Sequence, residues 1–270
     1  MVDNLKTNKM FLLTLILFLV LLVVRAVFWV VPGDENYNAL IWGSLYQIIA
    51  WWGAFCGIYL SKKWGGWSSL VGRANLAFAL GLLAQSFGQT VYSYYFYTGG
   101  EVLYPSVGDV GFFGSVLLYI YAVWLLAKAS GIKVTLNSFI NKIQAIIIPL
   151  VVLSLSYWIF LSEYVIEPGQ MVKTILDLGY PLGQAFYLSI AILILLLPRK
   201  VLGGVMKTPI IYFIVALALQ YLSDFTFLYQ LNNGTYVAGG IVDFMYFISY
   251  FAMALSLLKL GQAYDKIKHS

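Results

Sequence analysis

The chain has 270 residues, 61% of them hydrophobic and 10% charged, whereas a soluble domain carries about 25% charged residues, so a soluble fold of this length cannot hide its apolar surface. The net charge of +5 does not imply nucleic acid, because the placement of the basic residues along the chain says more than their sum. A single cysteine, Cys56, excludes an intramolecular disulfide and a cysteine metal cluster, and its apolar surroundings make it a small buried side chain.

A spanning helix needs roughly 20 mainly apolar residues, and the first candidate covers 10–31. Lys6 and Lys9 before it imitate a secretory signal, but Arg25-Ala26-Val27-Phe28-Trp29 is a poor cleavage site. It is therefore predicted to be a retained helix. Seven further spans follow at 39–60, 74–97, 107–128, 143–162, 174–197, 208–231 and 241–260. The joining segments carry turn chemistry: Pro32-Gly33-Asp34, Gly65-Gly66, Gly99-Gly100, Pro168-Gly169, Gly203-Gly204 and Asn233-Gly234. Short connections imply antiparallel neighbours. The predicted fold is an all-α integral membrane protein of about eight transmembrane helices in one bundle, with a helix pair over 1–73, repeated hairpins over 74–260 and a tail over 261–270.

Charge orients this bundle. Lys6, Lys9, Lys62, Lys63, Arg73, Lys128, Lys133, Lys142, Arg199, Lys200, Lys207, Lys259, Lys266 and Lys268 all fall on one side, the cytoplasmic one by the preference of Lys and Arg for inner loops. Asp34, Glu35, Glu101, Glu163 and Glu167 fall on the other side, with Lys173 their one loop cation. Both termini are predicted to be cytoplasmic, in a multipass protein of the cell membrane. The 17% aromatic content suits its two membrane–water interfaces.

An offset of 135 residues pairs Phe78 with Phe213, Leu82 with Leu217, Gln85 with Gln220, Tyr94 with Tyr229 and Gly99 with Gly234. Three helices after outer hairpins also open alike, at Ser106-Val107-Gly108-Asp109, Thr174-Ile175-Leu176-Asp177 and Gly240-Ile241-Val242-Asp243. The first two fit a capping box, in which a hydroxyl and an acid three residues on satisfy orphaned backbone N–H groups; glycine replaces the hydroxyl in the third. Helix pairs three-four, five-six and seven-eight are predicted to be related hairpins.

Polar residues within spans tend to face a bundle interior or a wet cavity. Asp224 lies about seven residues inside the outer end of its helix, roughly 10 Å deep, with Gln220 on the same face. Gln85 and Gln89 repeat that spacing on helix three, and Arg25 sits at comparable depth in helix one. An Arg25–Asp224 pair is the simplest way to keep both charges tolerable; the alternative is a ligand pocket or ion path. Asp109, Asp177 and Asp243 read either as helix caps or as an outer acidic cluster able to bind a cation or organic amine. Tyr92, Tyr94, Tyr95 and Tyr97 read as an interfacial belt, with an aromatic cage the alternative.

The one histidine, His269, lies beside the C-terminus, which removes a bis-histidine haem and a catalytic histidine within the membrane. Lys259 stands at the end of the last span, so a retinal-type Schiff base has no lysine at mid-depth. Nucleotide loops, HExxH helices and GxSxG elbows are missing. Asp224 with Asp243 is the one candidate pair for an aspartyl mechanism, and no catalysis, cofactor or metal is expected.

Tyr104-Pro105-Ser106-Val107-Gly108-Asp109, Tyr180-Pro181, Ser223-Asp224 and Gly239-Gly240-Ile241-Val242-Asp243 resemble the polytopic sensory regions that precede GGDEF and EAL domains in bacterial cyclic-di-GMP enzymes. The resemblance covers about 74–260 and implies the bundle and a ligand- or membrane-sensing role. The chain departs from that pattern in ending about ten residues after its last predicted span, so no output domain is expected, and in having Gln184 where the family would place an acid. The function expected is a stand-alone sensory or scaffold module with an outward-facing polar pocket of Arg25, Gln85, Gln89, Gln220 and Asp224. A small ion-coupled carrier and an accessory subunit of a larger membrane complex are the alternatives. Membrane lipids are the expected surroundings, and a cytoplasmic or membrane protein partner would read the module's state; the basic stretch from Lys259 to Ser270 suits that partner or anionic headgroups equally.

Overall fold

Long apolar runs bounded by glycine turns leave the backbone one way to satisfy its polar groups in a bilayer, which is to close them into helices. A computed structural model of the chain describes residues 2–30, 35–99, 104–130, 137–160, 168–196 and 205–269. Pro32-Gly33-Asp34, Gly100, Glu101, Lys133, Glu163, Glu167, Arg199, Lys200 and Gly203-Gly204 lie outside the described residues. The helices are α1 (Val2–Val30), α2 (Glu35–Leu45), α3 (Ile48–Lys63), α4 (Leu70–Tyr97), α5 (Val107–Ala129), α6 (Phe139–Phe160), α7 (Met171–Leu196), α8 (Lys207–Asn232) and α9 (Ile241–His269), with a 3₁₀ turn at Gly66–Ser68. No strand occurs among the described residues. Eight segments are long and apolar enough to cross a membrane, α2 and α3 together forming one, Tyr37–Lys63.

The second predicted span is not continuous. It breaks at Tyr46 and Gln47, where Ile49 N donates to Tyr46 O at 3.3 Å and Ala50 N to Gln47 O at 2.9 Å in place of regular helix bonds. Neither proline nor glycine marks the break. Its backbone is supported by side chains instead: the Gln47 amide donates to Ser44 O at 3.1 Å and to Ser93 Oγ at 3.2 Å, and Thr90 Oγ1 donates to Gln47 Oε1 at 2.7 Å.

α4 and α5 form one close antiparallel hairpin and α8 and α9 another, with α3 wedged between α4 and α9. Small residues permit this approach, as expected where apolar burial gives little drive between helices in lipid. A Cβ on Gly53 would meet Ala254 Cβ at 2.6 Å, and one on Gly57 would meet Ala79 Cβ at 2.7 Å, so Gly53-x-x-x-Gly57 is the seam of α3 with both neighbours. Both hairpin turns end alike. Gly99 and Gly234 adopt left-handed φ of 65° and 64°, a conformation that favours glycine. Around the seam Phe78 and Phe213 pack at 4.2 Å between ring centres, and Phe247 packs edge-on to Trp42 at 5.2 Å. α6 lies at the margin against α7 and presents Ile140, Ile146, Ile147 and Leu150 outward, a surface suited to lipid.

Three elements differ in their bounds from those predicted, two of them with a local cause. α1 begins at Val2 and α4 at Leu70, where Ser69 Oγ accepts from Gly72 N at 2.8 Å. Residues 261–269 are no separate tail but continue α9, with Ala263 and Asp265 buried. Asp265 is held there by Lys63 Nζ at 2.8 Å and by Thr7 Oγ1 at 2.6 Å, which joins α9 to α3 and α1. Cys56 is buried and free as expected.

Candidate functional site

At the end of the bundle opposite Lys63 and Asp265, four aspartates are each held by a tyrosine from elsewhere in the chain. Tyr180 donates to Asp109 Oδ1 at 2.9 Å, Tyr104 to Asp177 Oδ1 at 2.6 Å, Tyr246 to Asp224 Oδ1 at 2.6 Å, and both Tyr236 and Tyr46 to Asp243 Oδ1 at 3.3 Å. These bonds tie α5 to α7, α9 to α8, and the broken second span to α9. Burial first, then the Asp177 carboxylate, raises the Tyr104 hydroxyl well above the ordinary tyrosine range, and burial with the Asp243 charge does the same to Tyr236. Both hydroxyls therefore stay protonated and remain donors.

Helix ends place two of the acids. Ser106 and Asp109 form the expected capping box, with Ser106 N donating to Asp109 Oδ2 at 2.7 Å. Asp243 does not complete the box of the third motif: it accepts from Gly239 N, one residue before the N-cap Gly240, whose own N–H donates to Val237 O at 3.0 Å, and so serves the helix start by a neighbouring bond. Thr174 and Asp177 do not form a box. α7 starts one turn earlier, at Met171, so Thr174 Oγ1 donates back to Gln170 O at 3.1 Å, and Asp177 accepts from Tyr104. Pro181 lacks the N–H that would bond the Asp177 carbonyl, a local weakness in the helix ladder beside the site.

Asp224 lies within α8, and no helix end accounts for it. It accepts from the Gln220 amide at 3.0 and 3.2 Å, from Tyr246 and from the Gln184 amide. The expected pair with Arg25 is not formed. Arg25 instead stands 5.7 Å from the Trp42 ring centre. Neutral donors on adjacent helices reach Asp224 more directly than a guanidinium on α1. The ion pair present among the described residues, Lys63 with Asp265, is at the other end of the molecule.

Asp109, Asp224 and Asp243 line a cavity of about 50 Å³ together with Gln89, Tyr92, Tyr104, Tyr180, Tyr236 and Tyr246 and the rings of Phe112 and Phe227. Of the expected pocket residues, Gln89 and Asp224 are in its wall. Gln220 backs Asp224, and Gln85 is deeper, donating to Ser115 Oγ at 2.7 Å and accepting from Tyr250 at 3.3 Å. Asp109 and Asp243, predicted as caps or an outer cluster, serve as caps and face the same cavity. Tyr92 belongs to the cage, while Tyr94 and Tyr97 are exposed like a belt. Tyr104, Tyr180 and Gln184 enter the sequence reading only through the motifs of the resemblance and not as pocket residues, while Tyr236 and Tyr246 are not singled out there; Tyr236 lies between the glycine turns at Gly234 and Gly239-Gly240, and Tyr246 carries no local signal.

Gln89 stands out. It is 8% exposed, it faces the cavity, and its side-chain amide has no hydrogen-bond partner among the described residues. Its polar atoms are not among the sealed side-chain atoms left without a partner, which among the described residues are Trp42 Nε1, Asn75 Oδ1 and Tyr187 OH, so the amide opens onto the cavity, where a partner can be supplied. No group of three or more acids, histidines or cysteines is placed to hold a metal among the described residues. No family model, curated protein or solved structure matches the chain.

Proposed function

We propose that this multipass membrane protein is a sensory or scaffold module of the cell membrane that takes a small polar ligand into the acid- and tyrosine-lined cavity and passes its state to a partner chain. The observation that carries the proposal is the unpartnered Gln89 amide in a cavity walled by three carboxylates from three helices. Loop charge supports a cavity on the outer side and cytoplasmic termini. The role is binding, not catalysis.

Two repeated details support the related-hairpin reading. Gln85 bonds Ser115 between α4 and α5, and Gln220 accepts from Ser249 at 2.8 Å between α8 and α9. Phe78 and Phe213, equivalent by the 135-residue offset, touch each other, as equivalent residues do near a pseudo-two-fold axis. A ligand drawing Asp109 on one hairpin toward Asp243 on the other would bear on that axis, and α9 would carry the displacement to the Lys63–Asp265 end.

The test occupies the pocket covalently. With Cys56→Ser and Gln89→Cys, a bulky membrane-impermeant thiosulfonate added from outside should change hydrogen exchange of the α3 and α9 backbone around Lys63 and Asp265. Unchanged exchange at that end removes the sensory role. A second reading, an ion-coupled carrier, is favoured by the broken span at Tyr46–Gln47, since carriers build sites from interrupted helices. A carrier must expose the Gln89→Cys thiol to both sides in turn; a sensor exposes it to the outside alone.

A further inference from the structure

We infer that the cavity takes a small organic cation bearing a primary ammonium group. This rests on the reading of the cavity as a ligand site and names the class of ligand. Acceptor capacity around the cavity is unequally used. A carboxylate offers about four lone-pair sites. Asp224 takes three donors, but the single Gln220 amide nitrogen bridges both of its oxygens, so with Tyr246 on Oδ1 and Gln184 on Oδ2 each oxygen already has two contacts. Asp109 takes three donors, from Tyr180 and from Ser106 N and Oγ; Asp243 takes three, from Tyr46, Tyr236 and Gly239 N. Each of those two keeps room for one more donor.

Charge and shape point the same way. The donors on Asp224 include two amide N–H groups, to which its oxygens act as acceptors. Among the described residues no lysine or arginine lines the cavity, and Arg25 stands over the Trp42 ring. The lining of that cavity is thus acidic and aromatic. Spare acceptors on Asp109 and Asp243 and the free Gln89 Oε1 make three, matching the three donors of a primary ammonium group. The hydroxyls of Tyr104, Tyr180, Tyr236 and Tyr246 are committed to carboxylates, so what those rings offer a ligand is aromatic surface, suited to its hydrocarbon part and to its charge. Helix capping accounts for Asp109 and Asp243 but not for Asp224 or for Gln89.

The experiment measures thermal unfolding of the full chain in nanodiscs at constant ionic strength. The probes are methyl-, propyl- and 2-phenylethylammonium chloride, set against methanol, propanol and 2-phenylethanol and against acetate, butyrate and 3-phenylpropanoate. At least one ammonium probe should raise Tm saturably by about 5 °C, its alcohol and carboxylate counterparts should not, and the shift should disappear in Gln89→Met, which breaks no bond of the free protein, and in Asp243→Asn. An equal shift with an alcohol or carboxylate, lost in Gln89→Met, would overturn the ammonium class while leaving a ligand site. A shift that survives Gln89→Met, or no shift from any ammonium probe, would overturn the inference; the covalent occupation of Gln89→Cys then judges the site separately.

Discussion

Asp224 is surrounded by neutral donors, and its energetics should follow those contacts. A thermal double-mutant cycle between Asp224 and Tyr246 should return a coupling of about 0.5–3 kcal/mol, while the cycle between Asp224 and Arg25 should be additive within about 0.5 kcal/mol. The stranded-charge penalty belongs instead to Lys63 and Asp265. Asp265→Asn should lower stability by roughly 3–5 kcal/mol, the cost of removing one partner of a buried pair, and heating in nanodiscs reads it. Tyr104 and Tyr236 have hydroxyls raised above their unfolded value. The stability they contribute is full below a pH of about 10 and falls as pH rises above it, which an alkaline series of Tm values on wild type and Tyr236→Phe would register. All three cavity acids were legible in the sequence because an acid in or beside an apolar span is conspicuous. Their tyrosines were not: the chain has 21 tyrosines, and each of Tyr180, Tyr46 and Tyr104 reaches an acid on a distant segment.

Element positions follow from hydropathy and glycine turns, which is why all eight spans could be placed from the residues. The break at Tyr46–Gln47 could not. Ser44-Leu45-Tyr46-Gln47-Ile48 contains no helix breaker, and the interruption is supported by tertiary bonds to Thr90, Ser93 and Asp243 that local sequence does not contain. The Thr174–Asp177 motif failed for the converse reason, since a pattern shared with a capping box does not fix where a helix begins. Seam glycines give an element-scale test. Gly53→Val forces a side chain onto Ala254 and should cost about 1–3 kcal/mol by overpacking, whereas Gly114→Val, with nothing within 4 Å of its Cβ, should cost less than half as much in the same assay.

For the whole molecule, the chain is a bundle of eight membrane-spanning segments with an ion-paired end at Lys63 and Asp265 and an acid- and tyrosine-rich end enclosing a cavity. Pseudo-symmetric hairpins would let one ligand act on both halves, and the polar layer beneath, Gln85 with Ser115 and Gln220 with Ser249, would fix their register. The central claim is that this cavity is an open site on the outer side and not a sealed polar core. Its most direct test is the rate at which an impermeant thiosulfonate modifies Gln89→Cys in a Cys56→Ser background, measured from each side of right-side-out and inverted vesicles. Cysteines at Gly234 and Lys62 serve as outer and inner references. Modification of Gln89→Cys and Gly234→Cys from outside, with Lys62→Cys modified from inside, is the predicted result; a Gln89→Cys thiol that reacts from neither side, or from the Lys62 side alone, would contradict it.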